Sequence, residues 1–176
     1  MSISQLRDAI PDFGKDIRLN LESVLTEEGA PGLTAPQLWS IALASAFATK
    51  SEKVVRWVVE TVTPLLSSEA LESARAAATI MGMNNVYYRF LHLSEDKELS
   101  KLPAKLRMNI IGKPGVPKVD FELMSLAVSA LSGCGMCINA HVAEVRKAGI
   151  SNEGIQSTVR IAAVLNATAQ ALAIAG

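Results

Sequence analysis

The 176-residue chain carries 17 basic and 17 acidic residues, hence no net charge, and 49% of it is hydrophobic. That length suits one domain with a substantial core, the apolar content excludes general disorder, and the balanced charge, with no basic block or aromatic-interleaved patch, argues against a nucleic-acid partner. A mean hydropathy of +0.27 is high for a soluble monomer and points to apolar surface buried between subunits.

Helical periodicity runs through the chain. The opening "MSISQLRDAIPDF" has no cationic start followed by an apolar core, so it does not read as a signal peptide. Ser2 and Gln5 have capping-box spacing for a short helix that Pro11 ends. Phe13, Ile17, Leu21 and Val24 mark one face of a second helix, and Thr34 with Gln37 opens a third from about Pro36 to Thr49. The segment "EKVVRWVVETV" is rich in β-branched residues, which favour strands. Its valines 54, 55, 58, 59 and 62 recur at intervals of three and four, so it reads as helix. Ser67 or Ser68 starts the next helix, which runs through "ARAAATIMGMNNVYYRF".

From Ser94 to Val119 the chain is least regular, with Pro103, Pro114, Gly115 and Pro117, and reads as a connector with a turn or two of helix around "AKLRMNI". Three helices follow: Asp120 to about Leu131, Cys134 to about Ala148, where Gly149 ends the helix, and Ser151 to about Ala173. The most apolar stretch, Ile161 to Ala175, is interrupted by Asn166, Thr168 and Gln170 and falls short of a bilayer span. The fold class is therefore all-α, and the chain reads as cytoplasmic.

A shift of 85 residues lays "QLWSIALASA" over "ELMSLAVSAL" and "RAAATI" over "RIAAVL". One offset serving two separated segments implies an internal duplication of helical hairpins within a single domain, 1–176. The copies span about 34–92 and 119–175. Cys134 and Cys137 fall on Thr49 and Glu52 under this shift, so the first copy is a scaffold without their chemistry.

The two cysteines stand together in "GCGMCINAH", residues 133–141. In a reducing compartment such a pair is more often catalytic or metal-binding than a structural staple. Ser132–Gly133 is a helix start, which places Cys134 and Cys137 in a first turn where free N–H groups and the helix dipole stabilise a thiolate. The three-residue spacing brings both sulfurs onto one face, and His141 lies on the same stripe, able to take a thiol proton. Zinc is the competing reading, with Cys134, Cys137, His141 and a distant group such as His92 as ligands. No second C-x-x-C completes that set, and structural zinc takes four ligands. Two inert core cysteines are the bland reading.

Glu122 reads either as an acid near a helix N-terminus or as a carboxylate that orients His141 and tunes its proton affinity. His92 reads as an ordinary, partly buried histidine. Asn84, Asn85, Tyr87 and Tyr88 are available for polar contacts, though their spacing does not demand any.

Together "MGMNNVYYR", "LRMNIIGKPGVPKVDFEL" and "AVSALSGCGMCINAH", with the opening "LRDAIPDFGKDIRLNL", resemble the alkyl hydroperoxide reductase D (AhpD) family over essentially the whole chain. The resemblance implies an all-α homotrimer. It also implies a thiol-dependent peroxidase that works with the peroxiredoxin AhpC and draws electrons from dihydrolipoyl groups, with dihydrolipoamide or a lipoyl-bearing protein as donor. By position it makes Cys137 the peroxide-attacking thiolate, Cys134 the proton donor and resolving thiol, and Glu122 with His141 the proton relay. Some members carry a histidine between the cysteines where this chain has Met136, so that imidazole's contribution is missing here.

Two other functions stay open at this level. The chain is mainly an electron carrier to AhpC, or it is a non-catalytic, zinc-stabilised interaction module. The related carboxymuconolactone decarboxylase branch fits less well, because its chemistry does not need a cysteine pair.

Overall fold

The computed structural model describes residues 3–94 and 96–176. Among them every regular element is helical: ten α-helices and one 3₁₀ turn. The all-α expectation holds. Ser2 of the expected opening capping box lies outside the described residues.

The chain begins with α1 (Ile3–Asp8), a 3₁₀ turn (Asp12–Gly14) and α2 (Lys15–Val24). Leu21 and Val24 bury the inner face of α2, with Ile17 packed beside them. Phe13 does not join that face: it stands in the 3₁₀ turn, out of helical phase with α2, and is exposed. Next comes α3 (Ala35–Thr49), which starts at the expected capping box, with the Thr34 and Gln37 side chains each accepting from the other's backbone N–H. The valine-rich segment is α4 (Glu52–Val62). Its stripe of Val54, Val58 and Val62, with Trp57, is buried, so the three-and-four spacing outweighs the β-branched composition.

The longest helix, α5 (Ser68–Ser94), is capped by Ser67 Oγ, which accepts from Ala70 N. The irregular connector holds two short helices, α6 (Lys97–Lys101) and α7 (Asn109–Gly112). The expected turn around "AKLRMNI" is met only at its end: α7 takes in Asn109 and Ile110, while residues 103–108 are not helical and Lys105 stands at φ 50°. The sequence reading did not foresee α6, which Asp96 caps by accepting from Glu98 N and Leu99 N.

The last three helices are α8 (Lys118–Ser132), α9 (Gly135–Lys147) and α10 (Asn152–Ala175). At the centre, α3, α8 and α10 pack on one another, with α5 against α3 and α8, and α4 against α3 and α10. Residues 121–129 of α8 are buried on every side, as an axial helix requires. By length and composition α10 is long and apolar enough to cross a membrane, contrary to the shortfall expected from its polar interruptions. Its contacts with α2, α3 and α8 show where that apolar surface goes: Ile161, Leu165 and Leu172 belong to the core.

One close approach pins the N-terminal loop to α10. Gly32, at φ +81°, lies against Gly154, whose added Cβ would meet Gly32 O at 2.6 Å and Ile150 Cγ2 at 2.9 Å. Backbone cannot yield as a side-chain tip does. Gly154→Ala is therefore expected to lower unfolding free energy by about 1–3 kcal/mol, measured by chemical denaturation.

Candidate active site

The turn between α8 and α9 sets the position of both sulfurs. Gly133 adopts φ 67°, a left-handed backbone that glycine takes without steric cost. The chain leaves α8 there, with Gly133 N–H donating to Ala130 O and Cys134 N–H to Ser129 O, and immediately begins α9. Cys134 is the N-cap of α9 rather than part of its first turn. Its Sγ accepts from Cys137 N–H at 3.4 Å. The two cysteines are joined as a disulfide, with Cα atoms 5.3 Å apart, inside the usual range for such a bond. In the reduced protein the same cap N–H groups and the helix N-terminus favour a thiolate.

The cysteines differ in access. Cys134 is fully buried, whereas Cys137 keeps 8% of its surface and lines a cavity of about 220 Å³. Met81, Asn84 and Tyr88 of α5 form one wall, Ile111 of α7 closes a side, and Met136, Ala140 and His141 of α9 complete it. The lining is largely apolar.

His141 joins this cavity to the protein centre. Its Nδ1 stands 2.7 Å from Glu122 Oε2, and its Nε2 stands 3.3 Å from Met81 Sδ. With Nδ1–H donating to the carboxylate, Nε2 faces only a thioether, a weak hydrogen-bonding partner. Glu122 is 6% exposed, in the second turn of α8, so the reading as an ordinary acid at a helix N-terminus does not describe it.

On its far side Glu122 borders a second recess of about 280 Å³, lined also by Lys118, Glu144 and Lys147. Here Lys118 Nζ donates to Glu144 Oε2 at 2.7 Å. The ion pair raises the lysine pKa and lowers that of the glutamate, in each case chiefly through the hydrogen bond.

The structure thus brings Cys134, Cys137, Glu122 and His141 together and leaves His92 out. His92 is exposed on the last turn of α5, not partly buried. Among the described residues no group of three or more His, Cys, Asp and Glu is arranged to hold a metal ion.

Sequence reasoning missed Met81, Arg89 and Ile111. It also left the asparagines of "MGMNNVYYR" without a task. Asn85 Nδ2 donates to Val128 O at 3.4 Å, and Ser129 Oγ donates to Asn85 Oδ1 at 2.9 Å. One turn later Arg89 Nη1 donates to Ser132 O at 2.6 Å. These contacts hold the C-terminal turn of α8, from which Gly133 and the cysteines follow. The signal was present as polar residues on a helical stripe otherwise suited to burial. Asn85→Ala strands the buried Ser129 hydroxyl, and is expected to cost about 1–3 kcal/mol in chemical denaturation.

Residues 97–176 match the carboxymuconolactone decarboxylase family. Over 172 residues the chain is 53% identical to the alkyl hydroperoxide reductase AhpD of Rhodospirillum centenum, covering 98% of this chain and 91% of that protein. The AhpD proteins of Maricaulis maris and Coxiella burnetii are 51% and 49% identical, over 173 and 164 residues, with 98% and 93% of each chain covered. Identity of this order along nearly the full length, with a C-x-x-C disulfide beside a buried Glu–His pair, shows that the chain belongs to the AhpD family.

Proposed function

We propose that the protein is an alkyl hydroperoxide reductase that reduces organic hydroperoxides through the Cys134–Cys137 dithiol. The observation that carries this is the joined cysteine pair at a helix N-terminus, with one sulfur open to an apolar cavity that a histidine also lines.

The Cys137 thiolate attacks the terminal oxygen of ROOH, forming Cys137 S–OH and releasing RO⁻, which takes a proton from His141. The Cys134 thiol then condenses with the sulfenic acid, forming the disulfide and water. The dithiol loses two electrons and the peroxide gains them. The buried Cys134 suits resolution rather than attack, and its adjacency makes resolution fast. Glu122 holds the imidazole by Nδ1, and the recess beneath Lys118 and Glu144 gives solvent protons a route to the pair.

A dithiol reopens the disulfide by exchange. Family resemblance supports a dihydrolipoyl group as that dithiol and the peroxiredoxin AhpC as protein partner. Gly135, Met136, Asn139 and Ala140 are exposed around the motif and offer a partner thiol an approach, which equally suits an electron carrier to AhpC. The cytoplasmic setting expected from the sequence fits a site that needs reduced thiols. The exposed Val86, Phe90 and Leu93 on the outer face of α5 support assembly into the homotrimer.

The repeat reading is supported by the helix starts. Ala35, Glu52 and Ser68 begin three successive helices, and Lys118, Gly135 and Asn152 begin their counterparts. In that reading the single domain carries a scaffold copy and a catalytic copy.

Cys137→Ser is expected to abolish hydroperoxide consumption driven by dihydrolipoamide. Glu122→Gln, which keeps a hydrogen-bond acceptor for His141 but loses the charge, should slow it roughly a hundredfold or more. Consumption at the wild-type rate by Cys137→Ser would remove the assigned nucleophile. A wild-type rate that rises only when AhpC is added would establish the carrier role instead.

A further inference from the structure

We propose that Asn84 is the group that orients the hydroperoxide, its carboxamide oxygen accepting a hydrogen bond from the terminal O–H while Cys137 attacks that oxygen. The inference rests on the peroxidase reading above.

The two adjacent asparagines on α5 have opposite circumstances. Asn85 is fully paired with Val128 and Ser129. Asn84 is only 5% exposed and lines the cavity with Cys137 and His141, yet its Oδ1 has no hydrogen-bond partner and is itself covered, so it meets a donor in the cavity once the carboxamide turns toward it. A buried amide oxygen left unpaired destabilises the fold, because its hydration is lost and not replaced. Leucine or methionine would fill this position on a helix wall at no such cost. The unpaired acceptor is explained if a donor arrives with the substrate.

A hydroperoxide brings such a donor. Its terminal O–H is the one hydrogen-bond donor an alkyl hydroperoxide contains; Met81, Ile111 and Met136 around it offer only weak acceptors or none, and Tyr88 and His141 are the other polar side chains of the lining. Accepted by Asn84, that hydroxyl places the terminal oxygen toward Cys137 Sγ and leaves the R group against the apolar walls. His141 then protonates the departing RO⁻ to ROH. When the O–O bond breaks, the terminal OH moves onto sulfur as Cys137 S–OH, still within reach of Asn84. Condensation with the Cys134 thiol then releases it as water. No oxidant beyond the hydroperoxide is needed.

The test separates the two half-reactions. Protein reduced with dithiothreitol, then freed of it, is mixed with cumene hydroperoxide or hydrogen peroxide, and disulfide formation is followed by free-thiol quench. Reduction of the disulfide by dithiothreitol is timed separately, and melting temperature is recorded.

Asn84→Leu, with the same branching and number of heavy atoms, and Asn84→Ala, which cannot overfill the cavity, are expected to slow the oxidation step about tenfold to a hundredfold with both peroxides. The dithiothreitol step should be unchanged, and the leucine variant should melt no lower than wild type. Wild-type oxidation rates in both variants would overturn the proposal. So would a loss shared equally by both half-reactions with a lowered melting temperature, which marks a structural role. A loss confined to cumene hydroperoxide would overturn it too, since it reports steric fit rather than recognition of the O–OH group. If wild-type protein itself exchanges with dithiothreitol but consumes neither peroxide, the peroxidase reading falls, and this inference with it.

Discussion

The hydrogen bond between Glu122 and His141 is the constraint around which the rest is arranged. A carboxylate buried this deeply in an axial helix is expensive unless a donor meets it, because its hydration is lost. His141 Nδ1, at 2.7 Å, meets that need. The pairing fixes the separation and rotation of α8 and α9, and so requires a connection short enough to return the chain directly. The left-handed Gly133 supplies it. Because Gly133 is followed at once by the N-cap of α9, the same turn that lets histidine reach glutamate also sets the sulfurs at a helix N-terminus. Two chemical requirements, a held imidazole and a stabilised thiolate, are therefore met by one local backbone device.

Helix α5 completes the site from a distant part of the chain. Along one stripe it presents Met81 to the imidazole, Asn84 and Tyr88 to the cavity, and Asn85 with Arg89 to the end of α8. The division within this stripe is physical. Residues that grip α8 bind backbone carbonyls near its end: Arg89 takes Ser132 O, one of those that a helix C-terminus leaves without intrahelical partners, and Asn85 joins the donors on Val128 O. Those that face the cavity are apolar or, in Asn84, carry an unanswered acceptor. A single helix thus holds the catalytic turn in place and shapes the space in front of it.

Local patterns in the sequence were legible because they depend on a few neighbouring residues. The Thr34–Gln37 capping box, the glycine end of α9 at Gly149, and the helical phase of the α4 valines all follow from spacing alone. The grouping of Cys134, Cys137 and His141 on one stripe is of the same kind. What spacing could not supply were contacts between distant segments. Met81 is 60 residues from His141, and Asn85 and Arg89 are 43 from the carbonyls they bind. Phe13 and His92 were misjudged for a related reason: each stands where a helix is beginning or ending, and periodicity there no longer predicts which side faces the core.

The placement of Glu122 and His141 between two separate recesses has a consequence for how peroxide and proton travel. The recess before His141 is apolar and is lined by the less buried of the two cysteines, whereas the recess behind Glu122 is bordered by the Lys118–Glu144 ion pair. In the proposed cycle a hydrophobic hydroperoxide and a hydrated proton would otherwise compete for one narrow opening. Water brought in with each proton would also erode the desolvation that makes the thiolate reactive. In that cycle opposed openings avoid the conflict, with imidazole and carboxylate relaying the proton through the wall between an apolar cavity and a charged recess. The buried carboxylate, costly as a structural element, then serves as the link between a solvated proton source and an apolar reaction chamber.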